Sequence, residues 1–457
     1  MNDERRFRGC APRQWRSGAC NLRQRAAFLS GLALLAFGSL AAPGVARSAL
    51  VFDKDNAQVE IYGILDVGVG YLEHSYAASD VLASTVNSYN LNSSANSFTG
   101  IYSGGASMSR VGLRGAFHFD SGQQVFFRLE SAINVNTGVL SNNGQAIYNN
   151  INALHTANSA SAINGQAFAR AAYLGVSDPT FGSLELGRVL NFSLDQTVQY
   201  DPLQAALLFS PIGYSGGIGG GLGATENSRL DQGVRYENAV GSLKFGAEYK
   251  FSGDKSAQSA GSGWVAMLAF ARGAFSLEGT FSEMTNAVTW PIAYSNVVKP
   301  DANVQVENTK GYMITALYTL GKATAKAGWE DITVSAPSNT SLDVQWYYGL
   351  LLPKPSVNAS GEQFLDLYWV GGEYRFTPHF SLEAAFYNID TYNRPEVGKD
   401  YWAQAYSLLA DCQFAHSFDT YLGIMVMEYS GPGLTKHAPV NAYSSNGMYG
   451  IGLRYRF

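Results

Sequence analysis

Cysteine is almost missing from this chain: three residues in 457, of which Cys10 and Cys20 stand ahead of the apolar run at 26–42 and Cys412 is alone beyond it. A disulfide framework and a cysteine-built metal site are therefore excluded, and Cys20, lying before the apolar run, cannot serve as a lipoprotein acceptor. Cys412 reads as a small wall residue. Long hydrophobic runs are missing too, since nothing after residues 26–42 (AAFLSGLALLAFGSLAA) has the length of a membrane-crossing helix. Charged residues make up only 15%. The six histidines include His379 and His416 in expected turns and His74, His155 and His437 in expected loops, so none forms a spaced metal-ligand pair. Asp/Asn clusters in the loops could hold calcium, but solvated loop polarity accounts for them more simply, and no cofactor is expected.

The first 46 residues differ from the rest. Seven arginines and two acids precede the apolar run, and small residues end at Gly44-Val45-Ala46. This reads as a secretory signal with a long basic region, cleaved after Ala46, with an uncleaved N-terminal anchor as the alternative. Taking seven arginines and two acids from the 31 basic and 36 acidic residues leaves 24 against 34, a formal charge of −10 for residues 47–457. The remaining arginines are spread about one per strand-like segment. No nucleic-acid surface is expected.

What the chain does have is aromatic residues (13%), 49 glycines and alternation. Mean hydropathy sits near zero, as it must where each spanning strand turns only one side to lipid. In the last eleven residues, GMYGIGLRYRF, the side chains of Tyr449, Ile451, Leu453, Tyr455 and Phe457 share one face, and Gly450, Gly452, Arg454 and Arg456 the other. One face suits lipid and the other water. A soluble sandwich strand could alternate likewise, but the pattern recurs across the whole chain. Sixteen strand-like segments follow one another from 58–72 to 447–457, joined alternately by seven short turns and eight longer connections rich in Ser, Asn and Gly. An even count lets the first and last strands pair, abolishing edges that lipid cannot solvate. The expectation is an all-β fold: a transmembrane antiparallel β-barrel of about 16 strands occupying residues 47–457, with short turns toward the periplasm and long loops outside.

Alternation also assigns the lumen. Val111, Leu113, Phe117 and Phe119 fall outward, leaving Arg110, Arg114 and His118 inward; Val125, Phe127, Leu129 and Ile133 fall outward, leaving Arg128 and Glu130 inward. Lys244, Glu248 and Lys250 point in by the same rule. An Arg or Lys held against hydrocarbon at mid-depth would cost about 2–4 kcal/mol, so the parity is enforced. A lumen carrying charges on many strands is expected to be wet.

The segments YGILDVGVGY, MSRVGLRGAFHFDSGQQVFFRLESAINVNTG and FARAAYLGVSDPTFGSLELGR with QYDPL, together with the terminal GLRYRF, resemble the general diffusion porins of Gram-negative bacteria, above all the beta-proteobacterial ones of Burkholderia, Bordetella and Neisseria. The resemblance is ordered and reaches both ends of the barrel region; between about 253 and 360 it rests on strand rhythm. It implies a homotrimer of sixteen-stranded outer-membrane barrels, set in lipid and lipopolysaccharide. Each would have a water-filled pore narrowed by an inward-folded third loop and pass ions and small hydrophilic solutes. It also implies that Arg110, Arg114, Arg170 and Arg188, with Arg128 nearby, form a cationic wall facing acids of the third loop. The alternative is that each arginine pairs with a local acid. Strict alternation groups Arg188 with Leu184 and Leu186, so it needs a strand end or an irregularity to face the lumen. The C-terminal Phe457, with Tyr455 in the alternating strand before it, is implied to be read by the barrel-assembly machinery.

The third loop, residues 189–228, departs from that family. It lacks the Pro-Glu-Phe-Phe-type tip and instead carries Asp195, Asp201 and Glu226, an apolar stretch at 205–209 and a glycine-rich end. Asp195 and Asp201 are the expected constriction acids, while the apolar stretch would pack on the wall or line the eyelet. Gly213-Tyr214-Ser215-Gly216-Gly217 matches the nucleophile-elbow pattern, but in a glycine-rich loop rather than a strand-to-helix turn. No enzymatic activity is expected. Two other readings remain: an adhesin or receptor that uses the barrel to display loops, and a channel with a specific solute site.

Overall fold

The computed structural model describes residues 49–54, 56–73, 97–136, 138, 140, 167–214, 229–251, 262–285, 289–291, 303–305, 308–335, 362–392, 401–430 and 445–457. The expected signal segment, most long loops and the end of the third loop lie outside these residues. The strands, in chain order, are β1 (Ala49–Lys54), β2 (Ala57–Glu73), β3 (Phe98–Ser103), β4 (Arg110–His118), β5 (Gln124–Ala132), β6 (Ala171–Asp178), β7 (Gly182–Leu190), β8 (Arg229–Val240), β9 (Leu243–Lys250) and β10 (Gly263–Arg272). They continue with β11 (Phe275–Met284), β12 (Thr289–Pro291), β13 (Asn303–Gln305), β14 (Asn308–Leu320), β15 (Ala323–Ser335), β16 (Glu362–Thr377), β17 (Phe380–Tyr392), β18 (Tyr401–Ala415), β19 (Phe418–Ser430) and β20 (Ser445–Arg456). Two helices, α1 (Phe192–Tyr200) and α2 (Pro211–Tyr214), interrupt them between β7 and β8.

Each barrel strand pairs antiparallel with its sequence neighbour, and β20 pairs with β2 from Arg456↔Ile64 to Gly447↔Glu73, which closes the ring. The ring holds sixteen staves. One of them is β3 plus β4: β3 pairs with the far half of β2 (67–72) and β4 with its near half (57–64), so a single interrupted strand runs from 98 to 118. The sequence pattern gives this stave only from 108, because Gly104-Gly105-Ala106-Ser107 has no alternation to read. A second addition is β1, which pairs with Ala57–Ile61 of β2, beyond the part taken by β20. It covers backbone that would otherwise be a bare edge at the seam.

Turn chemistry explains the tight connections. Gly241, Gly273 and Gly321 each occupy the first central position of a two-residue hairpin with φ of 60–62°, a conformation that glycine adopts without steric cost. The outer wall is apolar as alternation requires, with Leu174, Leu268, Ile314 and Val370 among its exposed side chains. Inside, the wall divides. Strands β15 to β20 bury an apolar cluster including Leu367, Trp369, Tyr387, Ile389, Met425 and Met448. The opposite arc, β4 to β8, carries arginines.

Candidate pore constriction

The chain between β7 and β8 folds inward and packs on the apolar side of the lumen. Asn191 caps α1 by accepting the Ser193 amide at 2.8 Å, so the helix starts where the sequence leaves β7. One side of α1 (Phe192, Ser193, Gln196, Thr197 and Tyr200) is buried against the wall. The Gln196 amide donates to the Glu278 carbonyl and to Thr315 Oγ1, both at 3.0 Å, and accepts from Thr280 Oγ1 at 2.6 Å. Trp369 Nε1 donates to the Tyr200 carbonyl at 3.1 Å. Beyond the helix, Phe209 is fully buried on a floor of glycine: a Cβ at Gly423 would stand 2.5 Å from its ring. Residues 206–209 thus pack on the wall, one of the two arrangements that their composition allowed.

Asp201 is the second fastening. Its carboxylate is wholly buried, accepts the Tyr387 hydroxyl at 2.5 Å and the Ala205 amide at 2.7 Å, and its carbonyl accepts Lys326 Nζ at 2.8 Å. Burial pushes this carboxyl above its ordinary range, with the Tyr387 and Ala205 bonds opposing that shift. A group so enclosed does not face the lumen. Asp195 is half-exposed on α1 and ion-paired with Arg235 of β8 at 2.8 Å, while the Arg235 guanidinium lies 4.2 Å over the Phe192 ring. Of the expected constriction acids, then, Asp195 pairs with Arg235 and Asp201 bonds Tyr387 and Ala205, and neither pairs with Arg110, Arg114 or Arg170.

The arginines behave differently. Arg170 Nε at 2.5 Å, Arg128 Nη2 at 2.7 Å and Arg110 Nε at 3.8 Å converge on the Glu130 carboxylate, which is fully buried and also accepts the Tyr62 hydroxyl at 2.7 Å. Three guanidiniums share one carboxylate, an excess of two positive charges. Arg114 stands apart, more than half exposed, paired with Glu60 at 2.7 Å and 5.0 Å from the Tyr62 ring centroid. Arg188 reaches the interior through the irregularity that its parity demanded. The register shifts between Gly187 and Val189, Gly187 takes a φ of 135°, and Arg188 bonds the Ala169 carbonyl at 2.6 Å and pairs with Asp231. Local acids thus partner every arginine of the expected wall, as the alternative reading held, yet around Glu130 they fall short of neutralising it.

Residues outside the expected cationic wall and loop acids complete the site. Arg229, buried beside this cluster, bonds the Arg170 carbonyl at 3.0 Å. The buried Asp66 carboxylate gathers the amides of Gly105, Ala106 and Ser107 at 2.6–3.2 Å and the Tyr421 hydroxyl at 2.5 Å. That clamp turns the β3–β4 break into the lumen, where the Gly105 carbonyl accepts the Leu208 amide at 3.0 Å. The inward parity of Asp66 in ILDVG was the available signal. Arg454, on the water face of β20, pairs with Asp411 at 2.5 Å and Asp419 at 2.8 Å. Between the loop and the arginine arc lies a cavity of about 640 Å³ whose lining includes Arg110, Arg170, Arg229 and Arg454 and the carboxylates of Glu373, Glu383, Asp411 and Asp419 on the wall, and Leu194 and Val198 on α1. At the seam, Gly63 and Phe457 exchange backbone bonds of 2.9 and 3.1 Å, and the Tyr455 and Phe457 rings stack at 6.0 Å.

Among the described residues no group of acids, histidines or cysteines is placed to hold a metal ion. Comparison with known proteins agrees with the geometry. A sequence profile of the Gram-negative porin family matches residues 31–432. An outer membrane porin protein of Bordetella pertussis is 30% identical over 196 residues, which is 42% of this chain and 43% of that protein, so the match spans less than half of the relative's length. The anion-selective porin from Comamonas acidovorans superposes with a TM-score of 0.60 at 17% identity, over 88% of this chain and all of that one. In-vitro folded OmpT of Vibrio cholerae, in its trimer form, gives 0.53 at 17% identity over 88% of this chain and all of that one. A closed sixteen-stranded barrel with an inward third loop and a charged lumen, matched by the family profile over most of its length, makes this chain a member of the Gram-negative porin family, a barrel of the outer membrane.

Proposed function

We propose that the protein is a water-filled channel for passive diffusion of ions and small hydrophilic solutes, biased toward anions, and without catalytic activity. The observation that carries this reading is the trio Arg110, Arg128 and Arg170 around the single carboxylate of Glu130, of which Arg110 and Arg170 line a cavity inside a closed barrel. A lumen packed shut would have to desolvate these charges at a cost of several kcal/mol per ion, whereas water on one side relieves it. The cavity lining holds six arginines against four acids, so an anion crossing it meets an excess of two positive charges. The bias follows from position: loop charges more than about 8 Å from the path are screened at physiological ionic strength. In this reading Arg110, Arg128 and Arg170 form the cationic side of the constriction, with Arg114 and Arg188 flanking it, and the loop supplies an apolar side.

The native assembly in this reading is a homotrimer, in line with the trimer form of the Vibrio cholerae structure, delivered after removal of residues 1–46 and inserted through the barrel-assembly machinery with Phe457 as part of the signal. Planar-bilayer recording of purified folded protein tests the channel. Step conductances that are roughly ohmic, with a reversal potential on the anion side in a salt gradient, are expected. Folded protein without conductance would favour a barrel that only displays its loops.

A further inference from the structure

We infer that the constriction prefers organic anions that carry an apolar body over hydrophilic anions of equal charge, because Arg110, Arg170 and Arg229 line the same cavity as the apolar side chains of Leu194 and Val198. This rests on the pore reading above and adds the solute class. Leu194 and Val198 lie four residues apart on α1, so they share one face. It is the face left over after Gln196, Thr197 and Tyr200 are buried on the wall and Asp195 is engaged by Arg235. Val198 is 45% exposed, an unusual state for an aliphatic side chain inside a barrel, and both residues line the cavity that Arg110, Arg170 and Arg229 also line.

Water against such a face is released when a solute covers it, a gain of about 25 cal/mol per Å² of apolar surface. A small inorganic anion has no apolar surface to lay on that face and gains nothing there. A hydroxylated organic anion loses hydration at the apolar side without compensation. An anion with a planar hydrocarbon body can turn its charge to the guanidiniums and its body to α1, so both sides of the cavity act on it. The cavity, about 640 Å³, has room for such a solute with its remaining water.

The test compares two sulfonates, which stay ionised and so do not leak through lipid as neutral acids: benzenesulfonate, and the smaller, hydroxylated isethionate. Permeability relative to chloride is read from bi-ionic reversal potentials in planar bilayers. The parent is expected to pass benzenesulfonate more readily than isethionate, against their order of size. Val198→Asn, an exposed position that folding does not depend on, should lower the benzenesulfonate to isethionate ratio by about twofold or more. Leu194→Asn should do the same, while Val198→Leu should retain the parental ratio. A chloride-conducting parent that ranks the two sulfonates by size overturns this inference and leaves the pore reading standing; so does an unchanged ratio in Val198→Asn. A folded parent without chloride current overturns the pore reading and this inference with it.

Discussion

Replacing Glu130 by glutamine should make the pore more anion-selective and the barrel less stable, and both effects follow from the same three contacts. The amide keeps the volume and can still accept the Tyr62 hydroxyl, but it removes the one carboxylate shared by Arg170, Arg128 and Arg110, at 2.5, 2.7 and 3.8 Å. The excess charge at that wall rises from two to three. For a monovalent ion passing about 6 Å away through water, one added charge is worth about 0.7 kcal/mol. That is about threefold in the local concentration of an anion and the inverse for a cation, moderated by a Debye length of about 8–10 Å. The anion-to-cation permeability ratio should therefore rise by a few-fold. Breaking a fully buried ion pair costs about 3–5 kcal/mol, but the three arginine side chains are 11–28% exposed and can turn to lumen water, so about 1–3 kcal/mol is expected. Reversal potential in a potassium chloride gradient reads the first effect, and the temperature at which the folded barrel shifts to its unfolded mobility in detergent reads the second. An unchanged reversal potential, or a shift toward cations, would refute the placement of this cluster at the ion path.

Asp201→Ala removes the acceptor for Tyr387 and Ala205 and should loosen the third loop by about 1–3 kcal/mol, seen as noisier single-channel current with the barrel still folded; quiet parental current would argue against the anchor. Gly423→Leu places side-chain atoms where the Phe209 ring lies, so residues 205–209 should become open to proteolysis in the folded protein, whereas equal protection of parent and variant would contradict the packing. Deleting Phe457 removes its backbone pair with Gly63 and should lower the amount in the outer membrane at native-level expression; equal surface amounts would reject a role in assembly. The purified protein should run as a heat-dissociable trimer in mild detergent, and a single-barrel mass by light scattering, corrected for bound detergent, would overturn that.

The staves were legible in the sequence because lipid on one side and water on the other force period-two alternation, and the hairpin glycines mark where it reverses. Parity went further at Arg188: its conflict with Leu184 and Leu186 required an irregularity, and the shift beside Gly187 supplies it. Legibility ended where alternation does. Ala49–Lys54 is too short and too close to the apolar leader to stand out as a strand, and the break between β3 and β4 read as loop because its conformation is set by Asp66, some 40 positions away. The partner of each arginine was hidden for the same reason. Glu130 gathers Arg110 and Arg170 from neighbouring staves, 20 and 40 residues away in sequence, and only register brings them together. The burial of Asp201 was hidden likewise, because an acid in a loop looks solvent-facing until the hydroxyl of Tyr387, 186 residues away, is seen to close on it.

The central claim is that the charges inside this barrel line an open aqueous path, and recording from purified, folded protein in a planar bilayer under a potassium chloride gradient tests it most directly. The account predicts stepwise, roughly ohmic channels whose reversal potential lies toward the chloride equilibrium value, set by the excess of Arg110, Arg128 and Arg170 over Glu130. Folded protein that inserts without conducting, or conducts with a clear cation preference, would contradict it.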